Sequence, residues 1–190
     1  MAILRLPSLL IALFSVCAMY ASPYNIAPQS RVSASSVLDE FHKAENVTDQ
    51  LIRIAGKGEW ASKSTETFWG AKTKLDFRGR VYPYPWIQLD WEQEVCIDKV
   101  VLYDRADEKT HTASGILHFS DGSRINVWEI ANDGRPKVVT FPARKTRWLR
   151  FEVTDGDGEH LGLSEIEVYP APEDYKDYVS WVDPYIESAP

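Results

Sequence analysis

The chain has 190 residues, of which 44% are hydrophobic and 26% are charged, and its formal net charge is −7. This length allows one domain with a sizeable core but not two comfortable domains. The acidic balance argues against a nucleic-acid-binding protein, because such proteins usually display a basic patch, and it suits neutral ligands or cations better.

The first 21 residues have the pattern of a secretory signal peptide. Arg5 precedes the apolar run 9–14, and small residues follow at Ala18 and Ala21, which are alternative cleavage points. The apolar run is shorter than the roughly 20 residues that cross a bilayer, which disfavours a membrane anchor. We therefore expect a secreted, extracellular protein without membrane insertion.

Before residue 86 the sequence gives weaker structural signals. The polar run 32–37 is typical of an edge strand, and residues 38–50 show a weak helical period of apolar residues three apart. The stretch 65–85 is irregular and rich in aromatic residues. Loops longer than about 12 to 15 residues are usually functional or disordered, and the aromatic content favours a functional loop.

From Trp86 onwards, short apolar runs alternate with turn residues. In Trp86–Trp91, Ile87 and Leu89 alternate with less apolar neighbours, the period of a half-buried strand, and we place this strand near the centre of the sheet. Asp121-Gly122 is a strong hairpin signal. Further strands are predicted at 95–103, 115–119, 124–130, 138–141, 148–153 and 161–169. This spacing favours an all-β fold, an antiparallel β-sandwich or jelly roll.

Several large or reactive side chains on these strands are predicted to be buried. Cys96 begins an apolar strand, and we interpret it as a small hydrophobic residue and not as a nucleophile. Once Cys17 leaves with the signal peptide, no internal disulfide is possible, so stability must come from packing or a bound ion. The tryptophans predicted to be in the core are Trp60, Trp86, Trp91, Trp128 and Trp148.

Three motifs occur in a fixed order: Ala44-Glu45-Asn46-Val47-Thr48-Asp49 followed by residues 58–62, then Trp86–Trp91, then Gly162–Val168. Together they resemble the galactose-binding-like superfamily, the coagulation factor type C or discoidin domains and their carbohydrate-binding relatives. The resemblance covers roughly residues 25–170. It implies an eight-stranded jelly roll of the kind found in lectin domains.

A second resemblance concerns the last residues. The run 181–186, Trp-Val-Asp-Pro-Tyr-Ile, looks like the opening of the family 92 glycoside hydrolases, which are α-mannosidases. The catalytic carboxylates of that family have no counterpart in this chain. The resemblance therefore implies an accessory module, with an acidic linker and the truncated start of a following domain at 171–190.

The superfamily resemblance also implies a structural calcium ion. It places side-chain ligands at Asp49 and Glu165 and carbonyl ligands around Asn46, consistent with the 6 to 8 oxygens that calcium takes. Two positions depart from the pattern, because Gln50 stands where glycine is usual and Gly58 where a threonine is usual. The alternative is that Asp49 caps a turn and Glu165 is a solvated strand carboxylate. Asn46 also begins a glycosylation sequon.

Sugar sites combine an exposed aromatic ring with charged or amide side chains. The best aromatic candidate is Trp69, because the following glycine leaves its face open. Asp104 and Arg105 are candidates to clamp vicinal hydroxyls, and His111 and His160 to exchange one hydrogen bond each. The alternatives are a buried Trp69 and an Asp104–Arg105 ion pair that only fixes the loop.

No catalytic residue is predicted, because the chain has no Ser-His-Asp order, no HExxH motif and no phosphate-binding glycine loop. The expected function is a secreted, non-catalytic carbohydrate-binding module. Its partners are a glycan and a glycoside hydrolase catalytic domain in cis, which it would concentrate on that glycan. The alternative is a discoidin-type adhesion module that binds protein or lipid, which the acidic balance disfavours.

Overall fold

The computed structural model describes residues 24–52, 58–63, 74–75, 81–82, 84–105, 107 and 109–172. These residues form strands and two 3₁₀ helices, Ala27–Gln29 and Ala44–Thr48, with no α-helix among them. Within the same ranges, no helix is long and apolar enough to cross a membrane. The strands found there are β1 (Arg31–Ala34), β2 (Trp60–Ala61), β3 (Lys74–Leu75), β4 (Val81–Tyr82), β5 (Trp86–Tyr103), β6 (His111–Phe119), β7 (Arg124–Val127), β8 (Lys137–Asp157), β9 (Gly162–Leu163) and β10 (Glu165–Pro170).

The strands form a sandwich of two layers, and two long strands, β5 and β8, run through both layers. They pair antiparallel, and their register shifts twice, between Asp90 and Val95 and between Ile97 and Lys99. Irregularities of this kind are where strands bend and pass from one sheet into another. The first part of β5 lies between β1 and β8, whereas its second part lies between β10 and β8.

The remaining strands complete two layers. β6 pairs with the second part of β8, and β7 pairs with β6, so the larger layer has the order β1-β5-β8-β6-β7. The smaller layer has the order β10-β5-β8. β2 pairs with β9 and β3 with β4 as separate two-stranded sheets. The predicted antiparallel β-sandwich is confirmed, and Trp86–Trp91 is paired on both edges, as predicted for a central strand.

The core follows the two-residue period of the strands. In β8, Leu149, Phe151 and Val153 are buried, while Arg150 and Glu152 between them are partly exposed on the outer face. Side chains from both layers meet these three in one apolar cluster. Its other strand members include Ile87, Leu89, Ile97, Val100, Leu102, Leu117, Phe119, Ile166 and Val168.

The five tryptophans predicted to be core residues divide into three groups. Trp60 and Trp91 are buried, and their indole N–H groups donate to backbone carbonyls. Trp86 and Trp148 are only partly exposed, on the outer face, where the Arg150 guanidinium lies 4.3 Å from the Trp86 ring centroid.

Trp128 is the clearest error among these five predictions. Its side chain is 61% exposed, because β7 ends at Val127 with that valine turned inward, so the next side chain points outward.

Three other predictions also need correction. Cys96 is exposed, because Ile97 takes the inward position at the bend of β5. The helical period over 38–50 yields only the 3₁₀ helix Ala44–Thr48. The strands predicted at 138–141 and 148–153 are both parts of β8, which continues through the bend.

A buried carboxylate, Asp104, directly follows β5. Its side chain is 1% exposed, one oxygen accepts a hydrogen bond from the Thr112 backbone N–H at 3.2 Å, and the other has no hydrogen bond among the described residues. Burial raises the pKa of Asp104 to about 6. Hydrogen bonds from the backbone N–H groups of Arg105 and Thr112, and the nearby charges of His111 and Arg105, act in the opposite direction but are weaker.

The contrast between two tryptophans tests the core assignment. Trp60→Ala removes a fully buried ring and is expected to lower the free energy of unfolding by about 3 to 5 kcal/mol. Trp128→Ala removes an exposed ring and is expected to cost less than about 0.5 kcal/mol. Urea denaturation of both variants measures the difference. Equal destabilisation would show that Trp128 belongs to the core after all.

Asp104→Asn tests the cost of the buried carboxylate. Because the pKa is raised from 3.8 to about 6, the folded state holds the proton more tightly than the unfolded state, so stability falls as the pH rises between these values. This shift in pKa corresponds to a change of roughly 3 kcal/mol in the free energy of unfolding. The stability of the variant relative to wild type should therefore increase by up to this amount from pH 4 to pH 7, as measured by urea denaturation. A pH-independent difference would contradict the assignment.

Candidate functional site

Several loops meet at one end of the sandwich. β5 ends at Tyr103, whose Cα partner is Glu165, the first residue of β10. β6 begins at His111, whose partner is Asp157, the last residue of β8. Gly158 has a φ of +82° and lies so close to the carbonyl of Lys109 that a Cβ would overlap it. The loops after β5 and after β8 therefore lie side by side.

A cavity of about 620 Å³ lies among these loops. This volume is within the range of small-molecule sites. Most of its lining residues are polar or charged, with both signs represented, although much of the surface that they turn to the cavity is apolar. The lining residues are Leu38, His42, Arg105, Asp107, Lys109, Thr110, Gly158, Glu159 and His160.

Arg105 joins three of the segments around the cavity. It is 5% exposed, and its Nε and Nη2 both lie 2.9 Å from Oε1 of Glu59, which is fully buried. Its Nη1 donates to the carbonyl of His160 at 2.7 Å and lies 3.4 Å from the Thr110 hydroxyl. Most donors of the guanidinium are therefore used within the protein. Arg105 borders the cavity, but its geometry is that of a structural connector.

The two members of the predicted hydroxyl clamp have different environments. Asp104 is buried and turned towards the backbone of Thr112, so it does not line the cavity. Asp107 lines the cavity instead, and its Oδ2 lies 3.9 Å from Nη2 of Arg105. The alternative of an Asp104–Arg105 ion pair is wrong as well, because Arg105 pairs with Glu59.

Two of the polar groups at the cavity are held by hydrogen bonds to the protein. The His42 ring donates from Nδ1 to Asp39 at 2.7 Å, and this hydrogen bond lowers the pKa of Asp39. His160, which the sequence predicts as a ligand, donates from Nδ1 to the Ser62 carbonyl at 3.0 Å. The backbone of His160 has a φ of +61°, which is costly for a residue with a Cβ. Both imidazoles are thus oriented before any ligand arrives.

Of the other two predicted sugar ligands, the structure describes only His111. His111 does not line the cavity, and its Nε2 donates to the carbonyl of Ile130 at 2.7 Å, which ties the segment after β7 to β6. Trp69 lies outside the described residues, so its role stays a prediction.

Sequence reasoning missed His42 because residues 38–50 were interpreted as a weak helix. The available signal was the spacing Asp39-x-x-His42. There Asp39 Oδ1 accepts hydrogen bonds from the backbone N–H groups of Phe41 and His42, as aspartate does in turns. Leu38 was missed for the same reason. Lys109 lies inside the predicted loop, but nothing in its sequence context distinguishes it from an ordinary surface lysine.

The predicted calcium ligands lie around the 3₁₀ helix Ala44–Thr48, which packs against β10. Asn46 donates from Nδ2 to the carbonyls of Phe41 and Glu59, at 2.9 and 3.2 Å. This use of the amide nitrogen opposes its glycosylation.

The two predicted carboxylate ligands differ in their surroundings. Asp49 is exposed and accepts from the Leu51 N–H at 2.9 Å, as in the turn-capping alternative. Glu165 is 1% exposed, so the interpretation as a solvated carboxylate is wrong.

Side chains alone do not assemble a metal site in the described part of the chain. No group of three or more His, Cys, Asp or Glu residues there is arranged to hold a metal ion. Any calcium ion would therefore need backbone carbonyls as ligands, which is common for this ion. Gln50 has a φ of +65°, so the turn has the backbone conformation for which the superfamily pattern uses glycine.

Several solved domains have a similar fold. A chitosan-binding module of a chitosanase/glucanase from Paenibacillus sp. IK-5 has a TM-score of 0.54 at 20% identity, covering 77% of this chain and 98% of that one. The family 32 carbohydrate-binding module of NanJ from C. perfringens, solved with galactose, has a TM-score of 0.54 at 17% identity, covering 76% and 97%. The lectin domain of lectinolysin, solved with the Lewis B antigen, has 0.54 at 18%, covering 78% and 98%.

At these identities the similarity establishes the fold, and the galactose-binding-like β-sandwich expected from the three motifs is confirmed. The residues that resemble a family 92 glycoside hydrolase, 181–186, lie outside the described part of the chain. Comparison with curated protein sequences gives no match. One family model does match, that of a domain of unknown function, over residues 25–169. The chain therefore belongs to the family described as "Domain of unknown function (DUF7402)".

Proposed function

We propose that the chain is a secreted, non-catalytic carbohydrate-binding module that binds a glycan in the loop-end cavity. The observation that carries this proposal is the cavity itself, where Asp107, Lys109 and His160 surround a space of about 620 Å³. Sugar hydroxyls both donate and accept hydrogen bonds, so a neutral glycan matches a lining with carboxylate, ammonium and imidazole groups. Leu38 supplies an apolar wall for the C–H face of a sugar ring.

The similar solved domains support the same class of ligand. One is named as a chitosan-binding module, one was solved with galactose and one with the Lewis B antigen, and all three molecules are carbohydrates. Secretion is supported by the pattern of residues 1–21. A glycoside hydrolase domain in cis, α-mannosidase-like, is supported by the resemblance of residues 181–186 to the opening of that enzyme family. A tethered module would then raise the local concentration of the enzyme on its glycan.

Lysine substitutions test the cavity directly. Lys109→Ala removes an exposed ammonium group from the cavity wall, and we expect glycan affinity to fall roughly tenfold, the value of a hydrogen bond to a charged group. Lys145→Ala is the matched control, because this lysine is 76% exposed and lies at the bend of β8, at the other end of the sandwich. Glycan-array binding followed by calorimetric titration provides the measurement.

Two outcomes would count against the proposal. Wild-type protein that binds no glycan but binds protein or anionic vesicles would favour the adhesion function instead. Equal affinity of the Lys109 and Lys145 variants would place the glycan outside the cavity.

We also propose a structural calcium ion between the turn at 44–49 and β10, held by Glu165, Asp49 and carbonyls near Asn46. The support is the complete burial of the Glu165 carboxylate at the start of β10, together with the positive φ of Gln50. The ion would supply charge for the buried carboxylate and connect the turn to the strand.

Calcium removal tests this second proposal. With calcium at about 100 times its Kd, the folded state should gain about 2.7 kcal/mol, which corresponds to a rise in Tm of roughly 5 to 10 °C over chelated protein. Glu165→Gln should abolish the rise, whereas Glu167→Gln, two residues further along the same strand and only partly buried, should preserve it. An unchanged Tm at millimolar calcium would show that the proposed calcium site is wrong.

A further inference from the structure

Trp128 is a large aromatic side chain that the cavity and the core both leave unused. It is 61% exposed, although tryptophan is highly buried on average in folded proteins. An isolated exposed hydrophobic residue needs no explanation by itself. Two further features distinguish Trp128, the fixed backbone on either side of it and the contact of its segment with the cavity loops.

The backbone around Trp128 is held on both sides. Val127 before it and Ile130 after it are buried, at 1% and 2% exposure. Ile130 donates from its backbone N–H to the Ala113 carbonyl at 3.0 Å and accepts from the His111 ring at 2.7 Å. The indole is therefore displayed from a fixed backbone, and ordering it on binding would cost little conformational entropy.

The residue after Trp128 adopts a strained conformation. Glu129 has a φ of +57°, in the left-handed region that costs a residue with a Cβ about 1 to 2 kcal/mol. This conformation lets the chain turn so that Ile130 enters the core while Trp128 stays outside. Strain of this kind persists where the surrounding structure imposes it, and it is concentrated at binding sites.

The segment that carries Trp128 also borders the cavity loops. Asn132 donates from Nδ2 to the carbonyl of Asp107, a cavity residue, at 2.8 Å. His111, which holds Ile130, is paired with Asp157, next to Gly158 of the cavity wall. The segment that carries Trp128 and the cavity loops thus lie at the same end of the sandwich, and Asn132 joins them by a direct hydrogen bond.

We propose that Trp128 forms a second sugar subsite, where another ring of the glycan held in the cavity stacks its C–H face on the indole. The inference rests on the proposed function and specifies its ligand class, an oligosaccharide of two or more rings. The exposed side chains of Asn126 and Glu129 flank the indole in sequence and provide polar groups for hydroxyls at the ring edge. An apolar ring with polar neighbours is the combination that a sugar requires.

The test compares sugars of different length. Mannose, galactose and N-acetylglucosamine, each as a monosaccharide and as a trisaccharide, are titrated against wild type, Trp128→Ala and Trp128→Phe. Wild type should bind the recognised trisaccharide more tightly than its monosaccharide. Trp128→Ala should weaken trisaccharide binding roughly three- to tenfold and leave monosaccharide binding unchanged, while Trp128→Phe should restore most of the loss.

Tyr24→Ala provides the matched control. Tyr24 is 59% exposed and adjoins Asn25, which binds β10 through the Val168 N–H, far from the cavity loops. This variant should bind both sugars like wild type.

The outcomes separate the two proposals. If Lys109→Ala weakens both sugars and Trp128→Ala weakens neither, the cavity stands and the subsite is wrong. Equal weakening of both sugars by Trp128→Ala would place the indole in the primary site and would also overturn the subsite. If wild type binds none of the sugars, both proposals fail together.

Discussion

The buried ion pair between Arg105 and Glu59 is the interaction on which the candidate site depends. The carboxylate is fully buried and the guanidinium nearly so, which makes their mutual neutralisation a condition for folding this region. Removing one partner of such a pair typically costs about 3 to 5 kcal/mol, because the other charge stays behind in the interior. The same guanidinium also reaches the His160 carbonyl. One side chain thus connects segments that are distant in sequence, and the cavity lies above this connection.

Because Arg105 is committed to the protein, the proposed recognition of a glycan would fall to its neighbours. Asp107, Lys109 and His160 are positioned by short loops whose ends are strands of the sandwich. The strands β5 and β8 pass through both layers, so the loops that follow them are anchored to strands that pack in the core. The side chains of Asp107 and His160 are already oriented by contacts within the protein, which would reduce the entropy that they lose on binding a ligand.

Sequence reasoning succeeded where the fold follows local periodicity. The alternation in Trp86–Trp91 identified a central strand, because inward positions recur every second residue. It failed where a contact joins distant residues: nothing near Arg105 indicates that its partner is Glu59, 46 residues away. Trp128 was misassigned because strand periodicity was extended past Val127, where the strand ends. The loop 104–111 was selected from its polar sequence, but its burial pattern, with Asp104 inside and Lys109 outside, depends on the tertiary fold.

In the described part of the chain, backbone strain occurs in the loops and not in the strands. The three described residues with a Cβ and a positive φ are Gln50, Glu129 and His160, and all three lie outside the strands. Each such conformation costs about 1 to 2 kcal/mol, which only a well-packed core can offset. His160 lines the cavity, and Glu129 follows the exposed indole. Glycine would adopt these conformations without this cost, so the presence of a side chain at positions 129 and 160 lowers the stability of the fold.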